Sequence, residues 1–211
     1  MQGVFLLGII IFTYLMVLSK RMTSLIRNFR LQSFFLFLAT GWLAFKEQEI
    51  TLGIIAFLIF ALKVIAIPQV LRLVIKKIQV KEDLGLFINA QMSMLLAVLF
   101  SALAWFFAKY LVSPYPAAGA IIPAEALFII LTGFFLMIFR MTALAQVIGL
   151  LVMENGLFLL AAYISGGMPF FIEIAIFFDV LMSVIIMGFF VYRINKLFTH
   201  IDVNKLTRLR G

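Results

Sequence analysis

The sequence predicts an all-α membrane protein with about seven transmembrane helices, from two observations. Apolar residues make up 65% of the 211 residues and charged residues only 12%, whereas soluble domains are nearly half apolar and about a quarter charged. The mean hydropathy is +1.21, and several apolar stretches reach the roughly 20 residues that a helix needs to cross a bilayer. Lipid rather than water is therefore expected around most of the surface.

Seven apolar segments are predicted to be the membrane helices, and the connectors between them are too short for a soluble domain. The first segment is expected to stay as a helix, because no basic residues precede it as they do in a signal peptide. The second is short, and Lys46 at its end can extend its ammonium group to the membrane surface. The third contains Lys63 and Pro68, where a kink is expected because proline lacks a backbone donor. The segments are 2–19, 31–45, 50–75, 84–108, 124–140, 142–165 and 169–192.

The basic residues orient these segments. Seven spans place 14 of the 17 Lys and Arg on one side of the membrane, and only Lys46 and Lys109 on the other. The positive-inside rule therefore predicts that the N-terminus is outside and the C-terminus in the cytoplasm. The formal net charge of +8 is interpreted as an orientation signal and as contact with lipid headgroups, not as nucleic-acid binding. The 14 residues are Lys20, Arg21, Arg27, Arg30, Arg72, Lys76, Lys77, Lys81, Arg140, Arg193, Lys196, Lys205, Arg208 and Arg210.

Several kinds of catalytic site are excluded by composition. The chain has no cysteine and a single histidine, His200 in the C-terminal tail, so it cannot hold a cysteine-ligated iron–sulfur cluster or a Cys/His zinc site by itself. It has no G-x-x-x-x-G-K-[ST] phosphate-binding loop. No catalytic residue, metal ligand or cofactor site is therefore assigned, and an enzyme that acts alone is not expected.

Ionisable residues inside the apolar segments are the candidate functional residues. Glu154 and Asp179 lie near the middle of the sixth and seventh segments, and Lys63 near the middle of the third. Because a charge at this depth is costly, such groups face the bundle interior or water and find partners. Two interpretations stay open. Lys63 forms an ion pair with one of the acids and fixes helix packing, or Glu154 and Asp179 relay protons or cations, since burial lets a carboxyl exchange its proton near neutral pH.

Two polar residues accompany these acids in the predicted ion pathway. Ser183 follows Asp179 by four residues and therefore shares its helical face, where its hydroxyl can hydrogen-bond the carboxylate. Asn155 directly follows Glu154. Both are therefore included with the three ionisable residues.

Glu173 and Asn89 are secondary candidates. Glu173 lies nearer the outer end of the seventh segment, where contact with a headgroup or a partner is the simpler role. Asn89 shares a face of the fourth segment with Ser93, a pattern more typical of hydrogen bonds between helices than of an ion site.

From about Pro123 to Tyr192, the chain resembles the three-helix K subunit of respiratory complex I and the C subunit of multisubunit cation/proton antiporters. The resemblance rests on a glycine-containing first helix, "ALFIILTGFFLMIF", and on an acid in each of the next two helices. In the complex I subunit, the second-helix acid stands four residues before an Asn. Here Leu151 holds that place and Glu154 stands directly before the Asn, one turn further on, whereas Asp179 matches the third-helix acid.

The whole chain resembles hydrogenase-4 component E, a membrane subunit of group 4 hydrogenase and formate hydrogenlyase-like complexes. The stretches that carry this resemblance are "RLQS" at 30–33, "LKVIAIP" at 62–68 and "MENG" at 153–156. The resemblance implies a four-helix N-terminal membrane part with an outer loop. A three-helix part like the complex I K subunit and a basic cytoplasmic tail follow it. The three parts are 1–122, 123–192 and 193–211.

The implied function is that of a non-redox membrane subunit in a proton- or sodium-translocating hydrogenase-type oxidoreductase complex of the prokaryotic cytoplasmic membrane. Its buried carboxylates would belong to a mid-membrane ion pathway. Antiporter-like and membrane-anchor subunits would be direct partners, besides lipids, and the soluble hydrogenase module an indirect one. Nickel–iron and iron–sulfur centres would lie only in partner subunits. Two alternatives remain: a subunit of a cation/proton antiporter or ion-coupled uptake complex without a redox partner, and a scaffold whose buried charges serve only packing.

Single cysteines introduced at Ser24 and Ser113 test the predicted orientation, since the chain has no native cysteine. The positive-inside rule places these two positions on opposite sides of the membrane. We expect a membrane-impermeant maleimide to label Ser113→Cys in intact cells and Ser24→Cys only in inverted membrane vesicles. Labelling of both positions from the same side would contradict the orientation.

Overall fold

The computed structural model describes residues 2–78, 88–112 and 120–164, together with residues 185, 186 and 188. Within these ranges all the regular elements are helices, which confirms the all-α prediction. They are α1 (Gln2–Leu18), α2 (Met22–Glu47), α3 (Ile50–Leu58), a π-helical segment (Ile59–Ala66), α4 (Ile67–Ile78), α5 (Ala90–Val112), α6 (Ile121–Phe139) and α7 (Ala143–Ile164).

Four helical stretches in the described residues are long and apolar enough to cross a membrane. They are Ile50–Lys76, Gln91–Tyr110, Ile121–Phe139 and Ala143–Tyr163, and Gly3–Leu18 is a shorter apolar helix. The assignment to a membrane protein therefore stands, while the number of seven spans and the orientation of the termini stay predictions.

Helix α2 begins nine residues before the start of the predicted second segment. The sequence predicts a basic connector over these residues, because they include Arg27 and Arg30. In the structure both arginines are exposed, whereas Leu25, Ile26 and Phe29 on the other face are fully buried. The first turns of α2 are therefore amphipathic, and a hydropathy pattern that averages over both faces places the start of the helix too late.

The third predicted segment is one continuous helical stretch whose middle is a π-helix. The π-helical segment ends just before Pro68, and the backbone N–H of Ile67 donates to the carbonyl of Leu62, five residues back. Proline disturbs the turn that precedes it, because it lacks a donor and its ring crowds the carbonyl four residues back. The irregularity expected at Pro68 thus takes the form of a wider helix, and this segment carries Lys63.

Helices α6 and α7 pack so closely that their backbones touch. A Cβ atom added to Gly133 would lie 2.7 Å from the carbonyl oxygen of Gly149, and one added to Gly156 would lie 2.8 Å from the carbonyl oxygen of Ala126. Small residues permit this approach between membrane helices. The order of the contacts along the two helices shows that they run antiparallel.

Other predicted parts lie partly or wholly outside the described residues. The predicted fourth segment starts at 84, whereas α5 starts at Ala90, and residues 79–87 are not described. Of the predicted seventh segment, only residues 185, 186 and 188 are described, and all three are helical. The tail at 193–211 is outside the described residues, so the division into 1–122, 123–192 and 193–211 stays a prediction.

Replacement of Gly133 by alanine tests the contact between α6 and α7. The added methyl group would overlap the α7 backbone, and such overpacking costs about 1–3 kcal/mol. Gly53→Ala is the matched control, because a Cβ atom there meets nothing within 4 Å. We expect Gly133→Ala to lower the temperature at which a fluorescent fusion in detergent loses its monodisperse chromatographic peak. Gly53→Ala should leave that temperature unchanged or raise it, and equal effects of the two changes would contradict the close contact.

Candidate functional site

Lys63 lies in the interior of the helix bundle and is hydrogen-bonded to Asn155. The Lys63 side chain is 1% exposed, and so is that of Asn155. The Nζ atom of Lys63 donates to Oδ1 of Asn155 over 2.8 Å, which joins the π-helical segment to α7. Two of the predicted pathway residues, separated by 92 positions, are therefore in direct contact.

The hydrogen bonds continue from Asn155 to α2 and α1. Its Nδ2 atom donates to Oε1 of Gln32 over 3.1 Å and to Oγ of Ser33 over 3.2 Å. The Nε2 atom of Gln32 donates to Oγ1 of Thr13 over 2.8 Å, and the Thr13 hydroxyl donates to the carbonyl of Ile9. We call Thr13, Gln32, Ser33, Lys63 and Asn155 the Lys63 network.

The hydrogen bonds of the Lys63 network all run in one direction, from Lys63 through Asn155 to α2 and α1. The side-chain oxygen of Asn155 accepts from Lys63, and that of Gln32 accepts from Asn155. The side-chain nitrogen of each amide donates to a residue on the next helix. Thr13, Gln32 and Ser33 are all 0% exposed, so water does not replace these bonds. A hydrogen bond to a charged group in such surroundings contributes about 1.5–3 kcal/mol, and the amide dipoles are arranged to hold an ammonium group.

Glu154 lies beside the network on α7. It precedes Asn155 by one residue and therefore points about 100° away around the helix. Its side chain is partly buried, and neither carboxylate oxygen is accessible to solvent. The carboxyl is thus shielded from bulk water.

The remaining predicted site residues are Asp179, Ser183, Glu173 and Asn89. Asp179, Ser183 and Glu173 lie outside the described residues. Asn89 is exposed and directly precedes α5, where its backbone carbonyl accepts hydrogen bonds from the amide and the hydroxyl of Ser93. Asn89 therefore lies at the start of a helix.

The sequence did not identify Thr13, Gln32 and Ser33 as site residues. Gln32 and Ser33 form an adjacent polar pair that opens a long apolar run, and this pair is the one signal that could have identified them. Thr13 is a single hydroxyl among apolar residues, so it changes the mean hydropathy of that segment very little. In a membrane sequence a charged residue is readily identified as a candidate functional residue, whereas a neutral polar residue that is equally buried is not.

Arg140 was assigned to a cytoplasmic connector, and the structure shows that its side chain is wholly buried. It is 0% exposed, and its Nη2 atom donates to the backbone carbonyls of Val17, over 2.7 Å, and Met16, over 3.3 Å. These carbonyls belong to the last turn of α1, where a cation also interacts favourably with the helix dipole. Burial lowers the pKa of the Arg140 guanidinium to about 10, so the group stays charged at neutral pH.

The described residues contain no group of three or more His, Asp or Glu side chains that could hold a metal ion. Among known proteins, no family model and no solved structure matches the chain. Hydrogenase-4 component E of Escherichia coli is 30% identical over 157 residues, which are 72% of this chain and 70% of that protein. The same values hold for hydrogenase-4 component E of Shigella flexneri. The uncharacterized protein Rv0085 of Mycobacterium tuberculosis is 23% identical over 204 residues, 96% of this chain and 93% of that protein.

Replacement of Asn155 by leucine tests the contribution of the network to stability. The change removes the acceptor of Lys63 and the donor to α2, and we expect it to destabilise the folded chain by about 1–3 kcal/mol. The double change Asn155→Leu with Lys63→Met should recover part of this loss, because replacing both members of a buried polar pair costs less than removing one.

Gln91→Leu is the matched control for this test, since it removes an amide that is exposed. The measurement is the same thermal loss of the monodisperse peak in detergent. A result in which Asn155→Leu is no more damaging than Gln91→Leu would show that the network is not needed for stability.

Proposed function

The chain belongs to the hydrogenase-4 component E family, and from this membership we propose that it is a non-redox membrane subunit of a hydrogenase-type oxidoreductase complex. The apolar helices fit that role. In this proposal the nickel–iron and iron–sulfur centres lie in partner subunits. Antiporter-like and membrane-anchor subunits contact the chain, and the soluble hydrogenase module is an indirect partner.

We further propose that Lys63, Glu154 and Asp179 belong to an ion pathway that crosses this subunit near the middle of the membrane. The observation that carries the proposal is the buried amino group of Lys63, which donates to Asn155 over 2.8 Å, while Asn155 in turn donates to Gln32. An ionisable group at this depth is costly, and packing alone is achieved more cheaply by apolar side chains. Lys63 and the two acids would carry or steer the ion, while Asn155 fixes the position of the ammonium group.

The proposed topology has seven membrane helices in the prokaryotic cytoplasmic membrane, with the N-terminus outside. One contact supports it. Arg140 follows the last residue of α6 and bonds to the last turn of α1, so these two helices end on the same side. The basic residues that follow each of them, Lys20 and Arg21 after α1 and Arg140 itself after α6, agree with a cytoplasmic location of that side.

Charge-removing variants of the complex, reconstituted in liposomes, test the pathway. We expect Lys63→Met, Glu154→Gln and Asp179→Asn each to lower proton uptake per turnover at least about tenfold, the effect of roughly 1.4 kcal/mol on a barrier. The soluble hydrogenase activity should survive, and native gels check the assembly of each variant, because Lys63→Met also removes the donor to Asn155. Lys109→Met is the matched control, because Lys109 is an exposed lysine on α5. Unchanged uptake in the Glu154→Gln, Asp179→Asn double variant would exclude a relay through these acids.

Purification of the chain from its native membrane distinguishes this complex from the main alternative. Nickel–iron and iron–sulfur proteins in the purified assembly would support the hydrogenase-type complex. Antiporter subunits without any redox protein would instead support a cation/proton antiporter or ion-coupled uptake complex. Loss of assembly in Glu154→Gln or Asp179→Asn that a matching Lys63→Met change partly restores would indicate that the buried charges serve packing only.

A further inference from the structure

A second buried carboxyl, that of Glu125, lies outside the Lys63 network. Glu125 is in the second turn of α6 and is 7% exposed. Its Oε2 atom is shielded from solvent and has no hydrogen-bond partner in the part of the chain that the structure describes. A carboxylate oxygen that has lost its water and gained no donor is unfavourable by several kcal/mol, so this group requires an explanation.

Glu125 lines a cavity of about 220 Å³ between α1, α5 and α6. A water molecule occupies about 30 Å³ in the liquid, so the cavity has room for several. Ile121, the first residue of α6, also lines it and is 56% exposed, which places the cavity near the end of the bundle where α6 begins. The other lining residues are Ile10, Tyr14, Ser101, Trp105, Ala124 and Phe128.

The described cavity wall offers a carboxylate at Glu125 no cation and, from Ser101, no hydrogen-bond donor. None of the described residues that line it carries a positive charge. The hydroxyl of Ser101 donates its proton to the carbonyl of Val98 over 2.7 Å, so it offers the cavity only its lone pairs. The Ser101 hydroxyl can therefore accept a hydrogen bond from a protonated carboxyl but cannot donate one to an ionised carboxylate.

The helices around Glu125 bring few other charges to it. Tyr14 of α1 is the other titratable residue that lines the cavity, and α1 contains no charged residue. On α5, Lys109 is exposed and lies over the Trp105 ring, 5.6 Å from its centroid. On α7, Glu154 is the charged residue, and it lies about one and a half turns deeper, because Gly156 contacts Ala126 and Ile130.

We propose that Glu125 is a proton-binding site that exchanges with water in this cavity. In uptake, a hydronium ion transfers its proton to a carboxylate oxygen of Glu125, which leaves one water molecule and a neutral carboxylic acid. Release is the reverse reaction. The site is separate from the Lys63 network, which joins α1, α2, the π-helical segment and α7. The assignment does not depend on the proposed ion pathway or on any redox partner.

The experiment uses the complete complex in native membranes and the hydrophobic reagent dicyclohexylcarbodiimide, which modifies protonated carboxyls in apolar surroundings. We expect mass spectrometry to find the adduct on Glu125, with a yield about tenfold lower in alkaline than in acidic buffer, as for a group that titrates between them. Glu47 and Glu49, both exposed at the turn between α2 and α3, are the internal controls and should remain unmodified.

Infrared spectroscopy supplies a second measurement that does not depend on access of the reagent. The acid-minus-alkaline difference spectrum of the wild-type complex should contain the C=O stretch of a protonated carboxyl, which shifts in D2O and is missing in Glu125→Gln. Should that variant fail to assemble, Glu125→Asp, which shortens the side chain but keeps the carboxyl, should shift the band.

Three results would overturn the assignment. One is the absence of both the adduct and the band. Another is an adduct yield that is equal in acidic and alkaline buffer, because the proton on Glu125 would then not exchange with the buffer. The third is protection of Glu125 by sodium chloride, but not by choline chloride, at constant pH, which would identify a site for a metal cation instead. All three readouts are independent of hydrogenase activity and of proton transport, so they leave the proposed function untouched.

Discussion

The buried ammonium group of Lys63 is the constraint on which the arrangement of the helices depends. A positive charge in the middle of an apolar bundle needs polar partners, and Asn155 is one of them, at 2.8 Å. That amide must in turn be satisfied, which requires Gln32 and Ser33 on α2, and Gln32 requires Thr13 on α1. One charge thus specifies the relative positions of four helices. Apolar packing has no comparable directionality, because any face of similar volume can replace another.

The glycine contacts between α6 and α7 and the Lys63 network support each other. Gly156 lies against the backbone of α6, and Asn155 is its neighbour in the chain. The close packing therefore fixes the height and rotation of α7, which determines where the amide of Asn155 points. The π-helical segment fixes the position of Lys63 in the same way, because its wider turns contain that residue. Such segments are often found at functional sites.

The sequence predicted the elements whose signals are strong and local. The apolar runs identified α6 and α7 to within a few residues, and the cost of burying charge identified Lys63 as an interior residue. Two features could not be read in this way. The early start of α2 depends on which face of a mixed segment is buried, and the choice of Asn155 as a partner of Lys63 depends on how two helices 92 residues apart are rotated. Both are tertiary properties, which hydropathy does not encode.

The bond from Arg140 to the end of α1 has a consequence for biosynthesis. Helix α1 has a carbonyl of its last turn satisfied by a side chain synthesised 123 residues later. Until α6 has entered the membrane, α1 must keep this carbonyl near the hydrated interface or beside the insertion machinery. A contact between such distant parts of a chain forms slowly, because the long loop between them must first be closed. The bundle is therefore completed late, when most of the polypeptide is already in the bilayer.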